Sequence, residues 1–253
     1  MAVNTFLQAL RSRQPLMGLW ANLDGCAATE VLGATPGLDW IGIDCEHTPR
    51  DAADVLTQLR ILAASPVAPV VRLASHDAGR IAALLDIGVC NLIAPHVETP
   101  EQARAVVRAT RYPPQGVRGY ASGHRAGAYG RDKHYGANAH DTVCLIAMAE
   151  TREAMGHIVE IATTEGVDAI YIGAADLACD MGFMGQPSHP EVKAVIETAL
   201  KSVAAAGCAS GISAQTRVLR SEYQALGASL FAVGQDVLLF GAAIERHIAA
   251  MNH

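Results

Sequence analysis

The 253-residue chain has no basic tract: 19 Lys and Arg are scattered among 25 Asp and Glu, for a net charge of -6. Phosphate recognition needs clustered cations, so nucleic acid is not expected as the main partner, and a small metabolite is. No apolar run reaches membrane-spanning length. In residues 1–16 the apolar Phe6, Leu7 and Leu10 are interrupted by Asn4, Gln8, Arg11 and Arg13, which breaks the continuous apolar stretch of a signal peptide. The chain is therefore expected in the cytoplasm, with Cys26, Cys45, Cys90, Cys144, Cys179 and Cys208 as free thiols. None stands in a Cys-x-x-Cys pair, so neither a zinc cluster nor a redox pair is expected. The dinucleotide fingerprint Gly-x-Gly-x-x-Gly is also missing, and no linker-like composition divides the chain.

What the chain does have is a 51% apolar composition arranged in short Val-, Ile- and Leu-rich runs. Each run is followed by a longer segment of helical character, the alternation of a parallel sheet with helical crossovers. Strands are expected at 16–22, 38–44, 68–74, 91–97, 143–149, 167–173, 209–213 and 229–236. Eight such units in this length favour one (β/α)8 barrel spanning 1–253. Thr99-Pro100-Glu101-Gln102 and Ser188-His189-Pro190-Glu191 read as helix starts, and Thr48-Pro49 is expected to open the second helix. A connection over 112–142 is far longer than usual, which points to a functional or mobile loop.

Barrel enzymes work at the C-terminal ends of their strands, so the residues there carry the functional argument. Glu150 closes the fifth run and Asp176 follows the sixth, past Gly173. Two oxygen donors with no His or Cys beside them suit Mg2+, Mn2+ or a similar hard cation, although acidic residues also cap helices. His47 follows Asp44 and Glu46, where a carboxylate can fix its tautomer for acid–base work; a surface-loop histidine is the plainer alternative. Arg72 ends the third run, placed to stabilise a developing oxyanion or to pair with Asp44 or Glu46. Asp86 reads by default as an exposed helix residue. Arg118, His124, Arg125, Arg131, Lys133 and His134 give the long connection a local positive field that could guide an anionic substrate.

Several spaced motifs, in order, resemble the HpcH/HpaI family of class II, metal-dependent pyruvate aldolases. They include Gly18-Leu19-Trp20, Leu38 through His47, Pro69-Val70-Val71-Arg72, Tyr112 through Gly119, Glu150-Thr151-Arg152-Glu153-Ala154, Ile172 through Leu177 and Phe231-Ala232-Val233-Gly234. The resemblance implies a cation held by Glu150 and Asp176, with a 2-oxo acid chelating it and its carboxylate against backbone at Gly173, Ala174 and Ala175. It further implies that His47, or a cation-held water beside it, is the acid–base group, that Arg72 sits at the keto oxygen, and that Asp86 supports the histidine from a neighbouring subunit. Arg125 would meet the far end of the aldehyde, and Trp20, Asp44 and Ser213 would line the substrate. A hexamer that exchanges its last helix is expected.

Three positions depart from the family pattern: Met148 replaces a glutamine, Ala174 a proline, and Ser213 a larger apolar residue. The expected reaction is reversible retro-aldol cleavage of a 4-hydroxy-2-oxo acid to pyruvate, or hydroxypyruvate, and an aldehyde. Other carbon–carbon bond formation or decarboxylation of a 2-oxo acid, and a barrel that only binds one, are the alternatives. No strand of the set ends in Lys, which sets aside a Schiff-base aldolase.

Overall fold

The computed structural model describes residues 3–252, in which eight parallel strands close into a barrel in sequence order. They are β1 (Leu16–Ala21), β2 (Trp40–Asp44), β3 (Ala68–Arg72), β4 (Asn91–Ala94), β5 (Cys144–Ala149), β6 (Ala169–Ile172), β7 (Ala209–Ser213) and β8 (Leu230–Gln235). All eight lie within the expected spans, because a strand covered on both faces is a nearly continuous apolar run. The register places Asp44 opposite Arg72 at the C-terminal ends of β2 and β3.

The helices are α1 (Thr5–Arg11), α2 (Cys26–Gly33), α3 (Ala52–Leu62), α4 (Ala78–Asp86), α5 (Pro100–Thr110), α6 (Tyr135–Thr142), α7 (Arg152–Gly156), α8 (Ile158–Ala162), α9 (Ala174–Asp180), α10 (Pro190–Ala205), α11 (Arg217–Ala225) and α12 (Asp236–Met251). Thr99 caps α5 with Pro100 in its first turn, as expected, and His189 caps α10 ahead of Pro190. Thr48 does not open α3. Asp51 does, in a reciprocal capping box with Asp54, while the Thr48 hydroxyl donates back to the Asp44 carbonyl. After β5, Thr151 caps α7, which breaks at His157 before α8. Among the described residues no helix is long and apolar enough to cross a membrane.

Two apolar layers hold the barrel. The outer one packs strand faces such as Ile41, Ile43, Val71 and Leu92 against helix residues such as Val55, Ile81 and Val106. The inner one fills the barrel with Trp20, Trp40, Val70, Ile93, Ile146, Met148 and Tyr171. Gly18 and Gly42 leave room for the two indoles: a Cβ at Gly42 would lie 2.5 Å from Trp20. Helix α1, not anticipated from the sequence, buries Phe6, Leu7 and Leu10 against this inner layer where the strands begin. Asn4 latches it, donating through Nδ2 to the Asn91 side chain and the Thr142 carbonyl, both at 2.8 Å.

The long connection 112–142 holds structure of its own, a 3-10 segment (Arg125–Gly130) and α6. It follows a helix and precedes a strand, which places it at the N-terminal end of the barrel, opposite the mouth.

Candidate active site

Inward-facing positions alternate along each strand, so the residue two beyond an interior one also faces the barrel axis. Met148 on β5 is interior, which aims Glu150 into the mouth; Val70 on β3 does the same for Arg72, and Trp40 and Gly42 on β2 for Asp44. Asp44 is fully buried, and Arg72 grips it with two bonds, Nε to Oδ1 at 3.0 Å and Nη2 to Oδ2 at 2.6 Å. Asn22 Nδ2 and the backbone N–H groups of Glu46 and His47 also donate to Asp44. Burial pushes the Asp44 carboxyl up, but these bonds and the Arg72 charge outweigh it and leave the pKa below the usual range. Both oxygens are occupied, which corrects the expectation that Asp44 touches substrate: it stands behind Arg72 and fixes it.

Trp20 lies under the Arg72 guanidinium, 4.6 Å from ring centroid to Cζ, and edge-on to Tyr171. Only 5% exposed, it meets the mouth mainly through Arg72. Tyr171 shares a hydrogen bond of 3.0 Å with Ser213 at the end of β7. Burial raises the Tyr171 phenol to about 12, so it stays protonated.

Across the mouth, Glu150 is 1% exposed. Burial pushes its pKa up to about 7; the His96 N–H and ring oppose this, and the Asp176 and Glu46 charges add to it. Asp176 lies in the first turn of α9, exposed and with no capping bond of its own, and Thr151 rather than Glu150 caps α7. Gly173 is required between them, because a Cβ there would lie 2.5 Å from Glu150 Oε2. A buried carboxylate that resists ionisation, with a second carboxylate close by, is a donor pair that a hard divalent cation would satisfy. Among the described residues no three His, Cys, Asp or Glu side chains group as a closed cage, so most ligand positions would fall to water and substrate.

His47 is solvent-facing, its Nε2 3.6 Å from Glu46 Oε2; Asp44 holds its backbone and not its ring. Two residues missed in the sequence join here. Arg50, its side chain 2% exposed, donates to the carbonyls of Ala21 (2.5 Å), Leu23 (2.5 Å) and Asp44 (3.3 Å), tying the β1 and β2 ends together. His96, at the end of β4, sits between Glu46 and Glu150. His96 falls near the C-terminal end of the expected strand 91–97, a position that could have marked it, but its partners appear only once closure brings β4 beside β5.

Asp86 and Arg125 are not brought to this mouth. Asp86 ends α4, at the far end of the barrel, where it pairs with the buried Arg118 at 2.7 Å; Arg125 donates to the Ile87 carbonyl at 2.8 Å. Arg118, His124 and the rest of the expected positive field lie at that end too, so they do not guide anions into their own protomer's mouth.

A closed parallel barrel with ionisable groups gathered at its C-terminal mouth defines an α/β-barrel enzyme. The chain matches the model of the HpcH/HpaI aldolase/citrate lyase family over residues 16–242, and it belongs to that family. It is 44% identical over 243 residues to a 4-hydroxy-2-oxo-heptane-1,7-dioate aldolase of Shigella flexneri, covering 96% of this chain and 91% of that one. A pyruvate aldolase of Rhizobium etli is also 44% identical over 243 residues, covering 96% and 95%. Among solved structures, an HpcH/HpaI aldolase/citrate lyase family protein from Burkholderia cenocepacia J2315 superposes with a TM-score of 0.95 at 36% identity, over 99% of this chain and 100% of that one.

Proposed function

We propose that this barrel is a carbon–carbon lyase, a cation-dependent aldolase that reversibly cleaves 4-hydroxy-2-oxo acids to pyruvate, or hydroxypyruvate, and an aldehyde. One observation carries the reading: buried Glu150 and the Arg72–Asp44 pair share one mouth, joined through Glu46 and His96. The names and identities of the two aldolase relatives support it. Glu150 and Asp176 would hold a divalent ion, Mg2+ or Mn2+, which supplies Lewis-acid polarisation of the 2-oxo acid.

The chain's own residues do the rest. Gly173, Ala174 and Ala175 form the small-residue turn against which the substrate carboxylate rests, Trp20 braces Arg72, and Ser213 faces the substrate's far end. Arg72 donates to the keto oxygen as it gains charge. His47 takes the proton from the C4 hydroxyl as the C3–C4 bond breaks. The aldehyde leaves, the bonding pair stays with the C3 fragment, and the proton that His47 took is returned to C3, which completes pyruvate and restores the histidine. Asp86 and Arg125 serve a neighbouring protomer's mouth in a cytoplasmic homo-hexamer. The outward apolar face of α12, with Leu238, Leu239, Phe240, Ile248 and Met251 exposed, supports that assembly.

His47→Ala is expected to lower pyruvate release from a 4-hydroxy-2-oxo acid by about 10^2 to 10^4. Full activity in the variant would refute the role. Exchange of pyruvate methyl protons in deuterated water, lost on adding a chelator, tests the chemistry against simple binding, and products from a panel of 2-oxo acids and aldehydes separate cleavage from other carbon–carbon chemistry. A pH dependence follows as well. Glu150 holds a proton below about 7, and an incoming cation must displace it. Cation affinity should rise with pH to about 7 and level off above; equal affinities at pH 6 and 8 by calorimetry would contradict this.

A further inference from the structure

His96 joins the two halves of the mouth. An unbroken chain of polar contacts runs from Asp44 Oδ2 to Arg72 (2.6 Å), from Arg72 Nη1 to Glu46 Oε2 (3.1 Å), from Glu46 Oε1 to His96 Nε2 (3.1 Å), and from His96 Nδ1 to Glu150 Oε1 (3.2 Å). Carboxylates and nitrogen bases alternate along it, so no two carboxylates meet without a nitrogen group between. The backbone contributes too. His96 adopts a left-handed φ of 51°, uncommon outside glycine, and its N–H donates to the same Glu150 Oε1 at 2.6 Å. Oε1 is thus held twice, while Oε2 is left on the side of Gly173.

We infer that His96 is a positioning residue that fixes Glu150 with one oxygen turned toward the Gly173 turn, and so sets how tightly the site holds its cation. The inference rests on the reading of Glu150 and Asp176 as cation ligands. Groups that orient a metal ligand typically contribute 10- to 100-fold to affinity. Asn tolerates the left-handed conformation, so His96→Asn keeps the backbone bond to Glu150 while its short side chain cannot span to Glu46.

The test is calorimetric titration of the chelator-stripped full chain with Mn2+, for wild type, His96→Asn, Glu46→Gln and the double variant. His96→Asn should weaken Mn2+ binding about tenfold or more. In the Glu46→Gln background the same change should cost less than about threefold, because half of the bridge is already gone. Equal penalties in both backgrounds, or an affinity for His96→Asn within about twofold of wild type, would overturn the inference. Wild type that binds no Mn2+ would overturn the cation reading itself. If His96→Asn fails to fold, His96→Gly, which shares its backbone tolerance, gives the same comparison.

Discussion

Arg72→Ala should abolish nearly all activity and cost the fold about 3–5 kcal/mol, the usual penalty for stranding one partner of a buried ion pair. Asp44 has no exposed surface, and two of its strongest bonds come from Arg72. Removing the guanidinium leaves that carboxylate unpaired and removes the cation above Trp20. On the proposed reading it also removes the donor at the keto oxygen, a loss of about 10^2- to 10^3-fold in rate where such donors have been deleted. Steady-state kinetics and urea titration at pH 8 give both numbers; a kcat/KM within tenfold of wild type, or an unmoved midpoint, would sink the assignment. Arg72→Lys should recover little, because an ammonium cannot make the two parallel bonds. The pair also carries a pH signature. Asp44 titrates below its ordinary range, so its contribution is complete above that range and disappears as acid takes the pH through the lowered value.

Glu150→Gln should do the opposite to stability. In the unfolded chain this carboxyl ionises in the ordinary range, but in the folded chain only at about 7. Between those values the folded chain keeps a proton that the unfolded one has released, so stability falls as pH rises, and above 7 the whole penalty stands. An amide cannot ionise and escapes it. Without cation, Glu150→Gln should therefore be more stable than wild type at pH 8, by on the order of 2 kcal/mol, and no different near pH 4. Added Mn2+ should reverse the ranking, raising the melting temperature of wild type by mass action and leaving the variant unmoved while its activity is lost. A variant that melts lower than cation-free wild type at pH 8 would show that the buried charge is compensated within the chain.

The barrel was legible because its rule is local: strands covered on both faces are apolar runs, and the residue after each run lies at the mouth. By that logic Glu150, Asp176, His47 and Arg72 fall at strand ends from the sequence alone. Contacts between strands were not legible. His96 and Arg50 take their meaning from neighbours that closure supplies, β5 for one and the β1 end for the other. The connection 112–142 follows a helix and precedes a strand, which puts its positive field at the end away from the mouth and removes it from its own protomer's anion path. The place of Asp44 follows from the sequence but its role does not, because sequence position does not reveal that both carboxylate oxygens are occupied.

Helix α1 bears on the order in which the barrel assembles. It is synthesised ahead of every barrel strand, yet the partners that latch Asn4 lie 87 and 138 residues further on, in β4 and just before β5. The plug thus cannot seat until more than half the chain has been synthesised, and the inner layer of tryptophans stays open at that end until then. Contacts of such long sequence separation form slowly. Sealing of the barrel base is accordingly a late folding event, because α1 waits for partners that are made well after it.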